Sequence, residues 1–300
     1  MVRRLWKPWF VYRPGQLVRR AVVGLWPPPP GYVPIRTCWG GRIVADPARA
    51  IGRSLLTTGL YDLAVSEALA RLIAPGDTVV DAGANVGYMT VLAGAVAGPG
   101  GSVLAFEPHP ELHAVGLRTL AASGRLLTGV TVEYHQAALG ERPGTAGLHV
   151  PTEYAANDGV ATLGPAGGAG GHAVSVRVTT LDEAIGERPV GVLKLDVEGH
   201  EAAVLRGAAR ALAAGRVRHV VFEAHAPDGG EAGRVLHGAG YCLFALGWSM
   251  RGLVVRESEA SGPAGGYDPP SFLATREPDE ALGRCRPRGW RVLGRLAGQP

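Results

Sequence analysis

Asp77-Thr78-Val79-Val80-Asp81-Ala82-Gly83-Ala84-Asn85-Val86-Gly87-Tyr88 decides the fold. Residues 77–80 read as a strand, entered from a turn at Pro75-Gly76. Residues 88–97 form an apolar, helix-compatible run. Strand, glycine turn, helix is the opening unit of a doubly wound α/β domain. Gly83 and Gly87 permit a tight turn and let a ligand lie against bare backbone, since neither carries a Cβ. The helix after Gly87 offers unpaired N–H groups and a positive dipole end to an anionic group. Asp81, at the carboxyl end of the strand, is an acceptor beside that crevice.

The spacing separates two ligand classes. A nicotinamide-binding fingerprint needs G-x-G-x-x-G in this turn. Here Asp81 stands where the first glycine would be, and the turn reads D-x-G-x-N-x-G. That departure favours S-adenosylmethionine, whose methionine end carries an ammonium that an acid can pair with. An NAD(P)-dependent oxidoreductase on the same fold is the rival.

The alternation continues along the chain. Residues 102–106 form the second strand, which ends at Glu107-Pro108. Glu107 lies 26 residues after Asp81, where a carboxylate would accept both ribose hydroxyls. Residues 130–135 form the third strand, followed by Gln136-Ala137-Ala138-Leu139. Ala137 and Ala138 either leave room for a flat adenine ring or are ordinary strand-end packing. Residues 190–196 are the fourth strand and 217–222 the fifth, ending at Glu223-Ala224-His225. Helices are expected over 62–73, near 231–238 and after residue 200, where Val204, Leu205, Ala208 and Leu212 share a side. Further strands are expected at 33–36, 42–45, 241–246 and 271–276. Thr180 and Glu183 suggest a capping box.

Residues 140–178 break this rhythm. Strand-like runs at 144–150 and 173–178 flank the turn Asn157-Asp158-Gly159 and a glycine-rich stretch, 164–171. This insertion either projects over the crevice as a lid or is a passive surface loop.

The bulk properties suit one sizeable α/β domain with extensions: 300 residues, 46% hydrophobic. We divide it into a basic, proline-ended arm (1–30), a main domain (31–276) and a basic tail (277–300). The net charge of +4 is concentrated at the ends. Arg3, Arg4, Lys7, Arg13, Arg19 and Arg20 precede any acid, and Arg284, Arg286, Arg288, Arg291 and Arg295 crowd the end. Solvated tails are the favoured reading, contact with an anionic surface the other. Trp6, Trp9, Phe10 and Trp26 in the arm suit docking on its own domain or peripheral membrane contact. The longest apolar stretch contains Asp81 and Asn85 and makes a poor membrane span. Cys38, Cys242 and Cys285 match neither a disulfide framework nor a zinc pattern. A reducing, cytoplasmic setting follows by default. No nucleic-acid partner is expected, and the oligomeric state is open.

Lys194-Leu195-Asp196-Val197-Glu198-Gly199-His200-Glu201, followed by Val204-Leu205-Arg206-Gly207, resembles the FkbM family of S-adenosylmethionine-dependent methyltransferases. Pro75-Gly76-Asp77, the Asp81–Tyr88 block, Glu107-Pro108, Thr180-Leu181-Asp182 and Val221-Phe222-Glu223 match in the same order, so the resemblance covers residues 56–246. Tyr61-Asp62 departs from the family's usual Tyr-Glu. The resemblance implies a class I methyltransferase (Rossmann-like) sheet, mostly parallel, of seven strands with the last antiparallel. It places Asp81, Gly83, Ala84, Asn85, Gly87, Tyr88, Glu107 and Pro108 around the cofactor, with Ala137 and Ala138 at the same crevice. It turns Asp196, Glu198, Glu223 and His225 towards the substrate.

An alcohol is a weak nucleophile until its proton is removed or shared, a task for a carboxylate or imidazole within reach. Asp196 is the first choice for that role, Glu198 the second and His225 an alternative base. Glu198 and Glu201 would also stabilise a helix dipole whatever the function, and Lys194 reads as a strand residue paired with a nearby acid. The acids could together hold Mg²⁺, though no metal ligand is assigned. The expected activity is O-methylation of a hydroxyl on a small molecule or sugar. N-methylation and cofactor binding without catalysis are the alternatives on the same scaffold.

Overall fold

The computed structural model describes residues 7–26, 28–150, 162–163, 171–224, 226, 228–257, 271–294 and 296. Its strands are β1 (Val33–Arg36), β2 (Arg42–Ala45), β3 (Thr78–Ala82), β4 (Ser102–Phe106), β5 (Thr131–His135), β6 (Ala138–Leu139), β7 (Gly144–Val150), β8 (Thr162–Leu163), β9 (His172–Thr179), β10 (Val190–Leu195), β11 (Val217–Glu223), β12 (Cys242–Ser249), β13 (Gly252–Glu257) and β14 (Ser271–Thr275). Its helices are α1 (Pro8–Val11), α2 (Gly15–Leu25), α3 (Ala50–Thr58), α4 (Leu63–Leu72), α5 (Tyr88–Ala97), α6 (Pro110–Ala122), α7 (Leu181–Ile185), α8 (Glu201–Arg206), α9 (Ala209–Ala213), α10 (Gly230–Gly238) and α11 (Pro278–Cys285).

The main sheet runs β13-β12-β14-β11-β10-β3-β4-β5. β5, β4, β3, β10 and β11 are parallel, and β14 is antiparallel to both its neighbours, β11 and β12. This is the expected seven-stranded arrangement with its last strand reversed. A hairpin adds β13 at the edge, which the sequence did not suggest.

Alternation along each strand divides the core. Val79, Val103, Val192 and Val221 face one side with α4 and α5. Val80, Leu104, Leu193 and Val220 face the other with α8 and α9. Near-continuous burial of β10 is what a parallel strand covered on both faces requires. Winding reverses at β3: the chain steps outward from it through β4 to β5, then crosses back after α7 to lay β10 on its other side. The carboxyl ends of these strands therefore open a crevice, where open α/β sheets bind ligands.

Several expectations change in detail. The helix after His200 divides into α8 and α9 at Gly207, which packs on the Gly140 carbonyl, 2.0 Å from where a Cβ would stand. Thr180 caps α7 by accepting from Glu183 N (3.1 Å), but Glu183 returns to Thr179 Oγ1 rather than to the cap's own amide. The insertion strands pair as a small separate sheet, β6-β9-β7-β8. The turn at 157–159 and residues 164–170 of the glycine-rich stretch lie outside the described residues.

Both basic ends depart from the solvated reading. Phe10 is buried and Trp9 packs edge-on against Trp248. At the other end, Val292 and Leu293 are buried against α4. The buried Glu67 carboxylate accepts the amides of Arg291 (2.9 Å) and Val292 (3.1 Å) and pairs with Arg71 at 2.6 Å. Residues 291–293 thus form a docked segment, held through these amides and through Arg291 Nη1, which donates to Ala70 O at 2.9 Å.

Candidate active site

The turn between β3 and α5 is pinned to the next strand. Gly83 N and Ala84 N both donate to Phe106 O, at 3.0 and 2.9 Å. Gly83 has φ +76°, and a Cβ there would stand 1.8 Å from Asp196 O. Only glycine lets the end of β10 pass this close to the turn. Gly87 begins α5 without a side-chain cap, so its first amides are not claimed by a capping side chain.

A cavity opens here at the strand ends. Its floor is the Gly83–Val86 turn, with Tyr88 and Met89 of α5. One wall is Phe106, Glu107 and Pro108; the other is Lys194, Asp196, Val197 and Glu198. Ile51, Leu112, Ala138, Leu139 and Leu148 supply apolar surface, and Tyr61 completes it. Leu148 belongs to β7, so the insertion contributes to the wall.

Glu107 is buried and gripped by backbone. Its Oε2 accepts Asn85 N and its Oε1 accepts His109 N, each at 2.8 Å. Each oxygen keeps a further lone pair. Burial pushes this carboxyl up to about 7, against the His109 and Asn85 amides, which favour the charged form. Tyr134 OH donates to Asn85 O at 2.7 Å and fixes the turn from the other side.

Lys194 connects the two halves of the site. Its Nζ donates to Ala82 O (3.2 Å) and Gly83 O (2.8 Å), and lies 3.1 Å from Asp81 Oδ1 and 3.5 Å from Asp196 Oδ2. Burial alone would lower its pKa, but Asp81 and Asp196 hold it above its ordinary value. The strand residue paired with an acid is thus paired with two.

Asp196 is accompanied by further acids. Glu198 is raised to about 7, first by burial and then by Asp196 and Glu201. Burial, then Asp196 and Asp62, drive Glu223 well above the carboxylate range. Tyr61 is raised by burial and by the same acids, Asp196 first among them. Asp62, Asn85 and Glu198 are the described non-glycine residues with positive φ, at +38°, +50° and +50°. Two of them line the cavity and the third, Asp62, begins α4 beside Tyr61. Such conformations cost of order 1–3 kcal/mol each and persist where the surroundings impose them.

The expected residues do not all reach the cavity. Gly83, Ala84, Asn85, Tyr88, Glu107, Pro108, Ala138, Asp196 and Glu198 line it. Asp81 does not: it is buried beneath the turn, accepting from Thr90 Oγ1 at 2.6 Å and facing Lys194. Its place as an acceptor beside the crevice is corrected to that of a buried counter-ion. Gly87 and Ala137 sit behind the wall, Ala137 fully buried. Glu223 stands among the acids without lining the cavity. His225 lies outside the described residues. Ile51, Tyr61, Leu112 and Leu148 escaped the sequence reading. Only Tyr61 carried a signal, as the neighbour of the departing Asp62.

Among the described residues, His219, Glu277 and Glu280 offer ligand atoms within 4.8 Å of one another. That group lies near the amino end of β11, away from the crevice, and Arg284 pairs with Glu280. The crevice acids do not close to that spacing. Also among the described residues, no helix is long and apolar enough to cross a membrane.

The residues present suit an adenosyl sulfonium ligand. Apolar surface is available for a flat ring, Glu107 has spare lone pairs for vicinal hydroxyls, and carboxylates face the opposite wall. A family model for the methyltransferase FkbM domain matches residues 81–243. The chain is 34% identical over 202 residues to 31-O-demethyl-FK506 methyltransferase FkbM of Streptomyces tacrolimicus, covering 57% of this chain and 75% of that one. Solved structures similar to it include a methyltransferase FkbM from Methylobacillus flagellatus: 15% identity, TM-score 0.39, 69% of this chain covered. The chain spans 50% of that protein's length. A SAM-dependent O-methyltransferase from Thermotoga maritima is 15% identical with a TM-score of 0.44, covering 84% of this chain and 80% of that one. Both blocks that shape the cavity, 81–88 and 194–201, fall inside the matched region, and the chain belongs to the FkbM methyltransferase family.

Proposed function

We propose that the protein methylates a hydroxyl oxygen of a small molecule or sugar, with S-adenosylmethionine as donor. The observation that carries this reading is Asp196: a part-exposed carboxylate on the cavity wall, tethered by Lys194 and facing Glu107 across the turn.

S-adenosylmethionine supplies an already activated methyl on a sulfonium sulfur. The chain must bind it, align an oxygen, exclude water and take one proton. Glu107 accepts ribose hydroxyls through the lone pairs its backbone partners leave free. Leu112, Ala138 and Leu139 face the ring. Asp196 accepts the hydrogen bond of the acceptor's hydroxyl and takes its proton as the oxygen gains the methyl. Lys194 holds Asp196 in place through their 3.5 Å ion pair. Glu198 is the second acid within the cavity, and its raised pKa suits passing a proton outward near neutral pH. Tyr61 closes the acid side of the cavity. The relative from Streptomyces tacrolimicus is named for an O-demethyl substrate, which favours oxygen over nitrogen.

The test uses S-adenosylmethionine labelled with ¹³C in its methyl group and a panel of hydroxyl and amine acceptors. The expected product carries its ¹³C signal in the O-methyl region. Label found only in N-methyl products, or cofactor binding with no transfer to any acceptor, would overturn the proposal.

A further inference from the structure

We propose that α2 and Trp26 form a docking face for an anionic lipid surface. On a globular domain, an amphipathic helix normally turns its apolar stripe inward. α2 does the reverse. Gln16, Arg19 and Val23 are half-buried on the side that packs against α3. Leu17, Val18, Ala21, Val22 and Leu25 fall on a single arc facing outward. Val18 is 68% exposed, Leu25 71% and Trp26, just past the helix, 73%.

The face is held rather than dangling. Arg13 Nη1 donates to Cys38 O at 2.9 Å, and Tyr12 OH donates to Met250 O at 3.1 Å. Phe10 is buried just ahead of the helix, with the Arg20 guanidinium 5.5 Å from its ring centre. The arm therefore docks on its own domain, and its longer helix does so through Gln16, Arg19 and Val23.

Charge selects the occupant. Residues 1–30 contain six basic side chains and no acid. A second copy would bring the same positive charge to this face and be repelled. A nucleic acid would use the arginines and leave the aliphatic stripe in water. Anionic lipid satisfies both: headgroups meet Arg19 and Arg20, which border the stripe on its two sides, and acyl chains meet the stripe and Trp26. With 11 residues, α2 is about 16 Å long, far short of a bilayer core, so it would lie in the interface plane. This inference does not rest on the methyl-transfer reading.

The full chain is sedimented with vesicles of phosphatidylcholine alone or mixed with phosphatidylglycerol, at low and high salt. Binding is expected only to the mixed vesicles, and weaker in high salt. Val18→Asp with Leu25→Asp should cut partitioning by more than about tenfold. That variant should keep the wild-type melting temperature and S-adenosylmethionine affinity, since neither position touches the core or the crevice. Failure to bind anionic vesicles, or equal binding by the double variant, would overturn the proposal. So would a wild-type dimer that the double variant turns into a monomer, because the face would then belong to a second copy.

Discussion

The Lys194 ammonium lies 3.5 Å from Asp196 Oδ2, two residues along the same strand end, and also bonds the Gly83 carbonyl. One buried cation thus ties the proposed proton acceptor to the turn that would carry the cofactor. Lys194→Met leaves the buried Asp81 without its counter-charge. Breaking such a pair costs about 3–5 kcal/mol. Urea unfolding should show that loss; a change below about 1 kcal/mol would mean that Thr90 alone satisfies Asp81.

Asp196→Asn keeps the shape of the wall and removes the proton acceptor. Turnover should fall by roughly 10²–10⁴-fold while S-adenosylmethionine affinity stays within a few-fold. Steady-state kinetics beside calorimetric titration separates the two. Near-wild-type turnover would take Asp196 out of the chemistry.

Glu107 ties cofactor affinity to pH. Its carboxyl titrates near 7 in the free protein, whereas accepting two hydroxyls requires the ionised form. S-adenosylmethionine should therefore bind about tenfold tighter at about pH 8 than at about pH 6, with proton uptake by buffer at the lower pH. Glu107→Gln should weaken binding at least about tenfold and flatten that dependence. A flat profile in the wild type would refute the ribose assignment.

Stability of the ligand-free protein should move the other way. Glu107 and Glu198 sit at about 7 in the folded state against 4.5 ordinarily, and Glu223 is raised further. The folded protein holds protons that the unfolded chain has released, so this contribution is full below 4.5 and is lost as pH rises through about 7. His219 opposes it at lower pH: burial lowers it to about 4 from 6.5, so its contribution grows with pH up to about 6.5. Above that only the acids remain, and the urea midpoint should fall between about pH 6.5 and about pH 8. A rising midpoint there would show that the acids are not raised.

Glu198 at φ +50° offers a different check. Glu198→Gly relieves the conformation and removes an exposed acid from the cavity wall. It should stabilise the fold by roughly 1 kcal/mol while lowering turnover. Loss of stability would show that Glu198 holds the turn rather than burdening it.

Fold and site were legible wherever a short stretch had to satisfy a backbone demand. Gly83 and Gly87 announce a turn that other residues cannot make, and Glu107 ends a strand at a readable distance. Ile51 and Leu148 could not be read this way. They are ordinary apolar residues, brought to the cavity from β-rich or helical segments far along the chain. Asp81 misled because its acidity is visible in sequence while its partners, Thr90 and Lys194, are not. The last segment misled because its arginines suggest solvent, whereas its backbone amides meet Glu67. α2 was hidden for the opposite reason: its apolar residues point away from the core.

The most direct test of the central claim is the melting temperature of the purified chain with S-adenosylmethionine, with S-adenosylhomocysteine and with NAD. A cavity floored by the 83–86 turn and walled by Glu107 should give clear stabilisation by both adenosyl ligands and none by NAD. Stabilisation by NAD alone would contradict it.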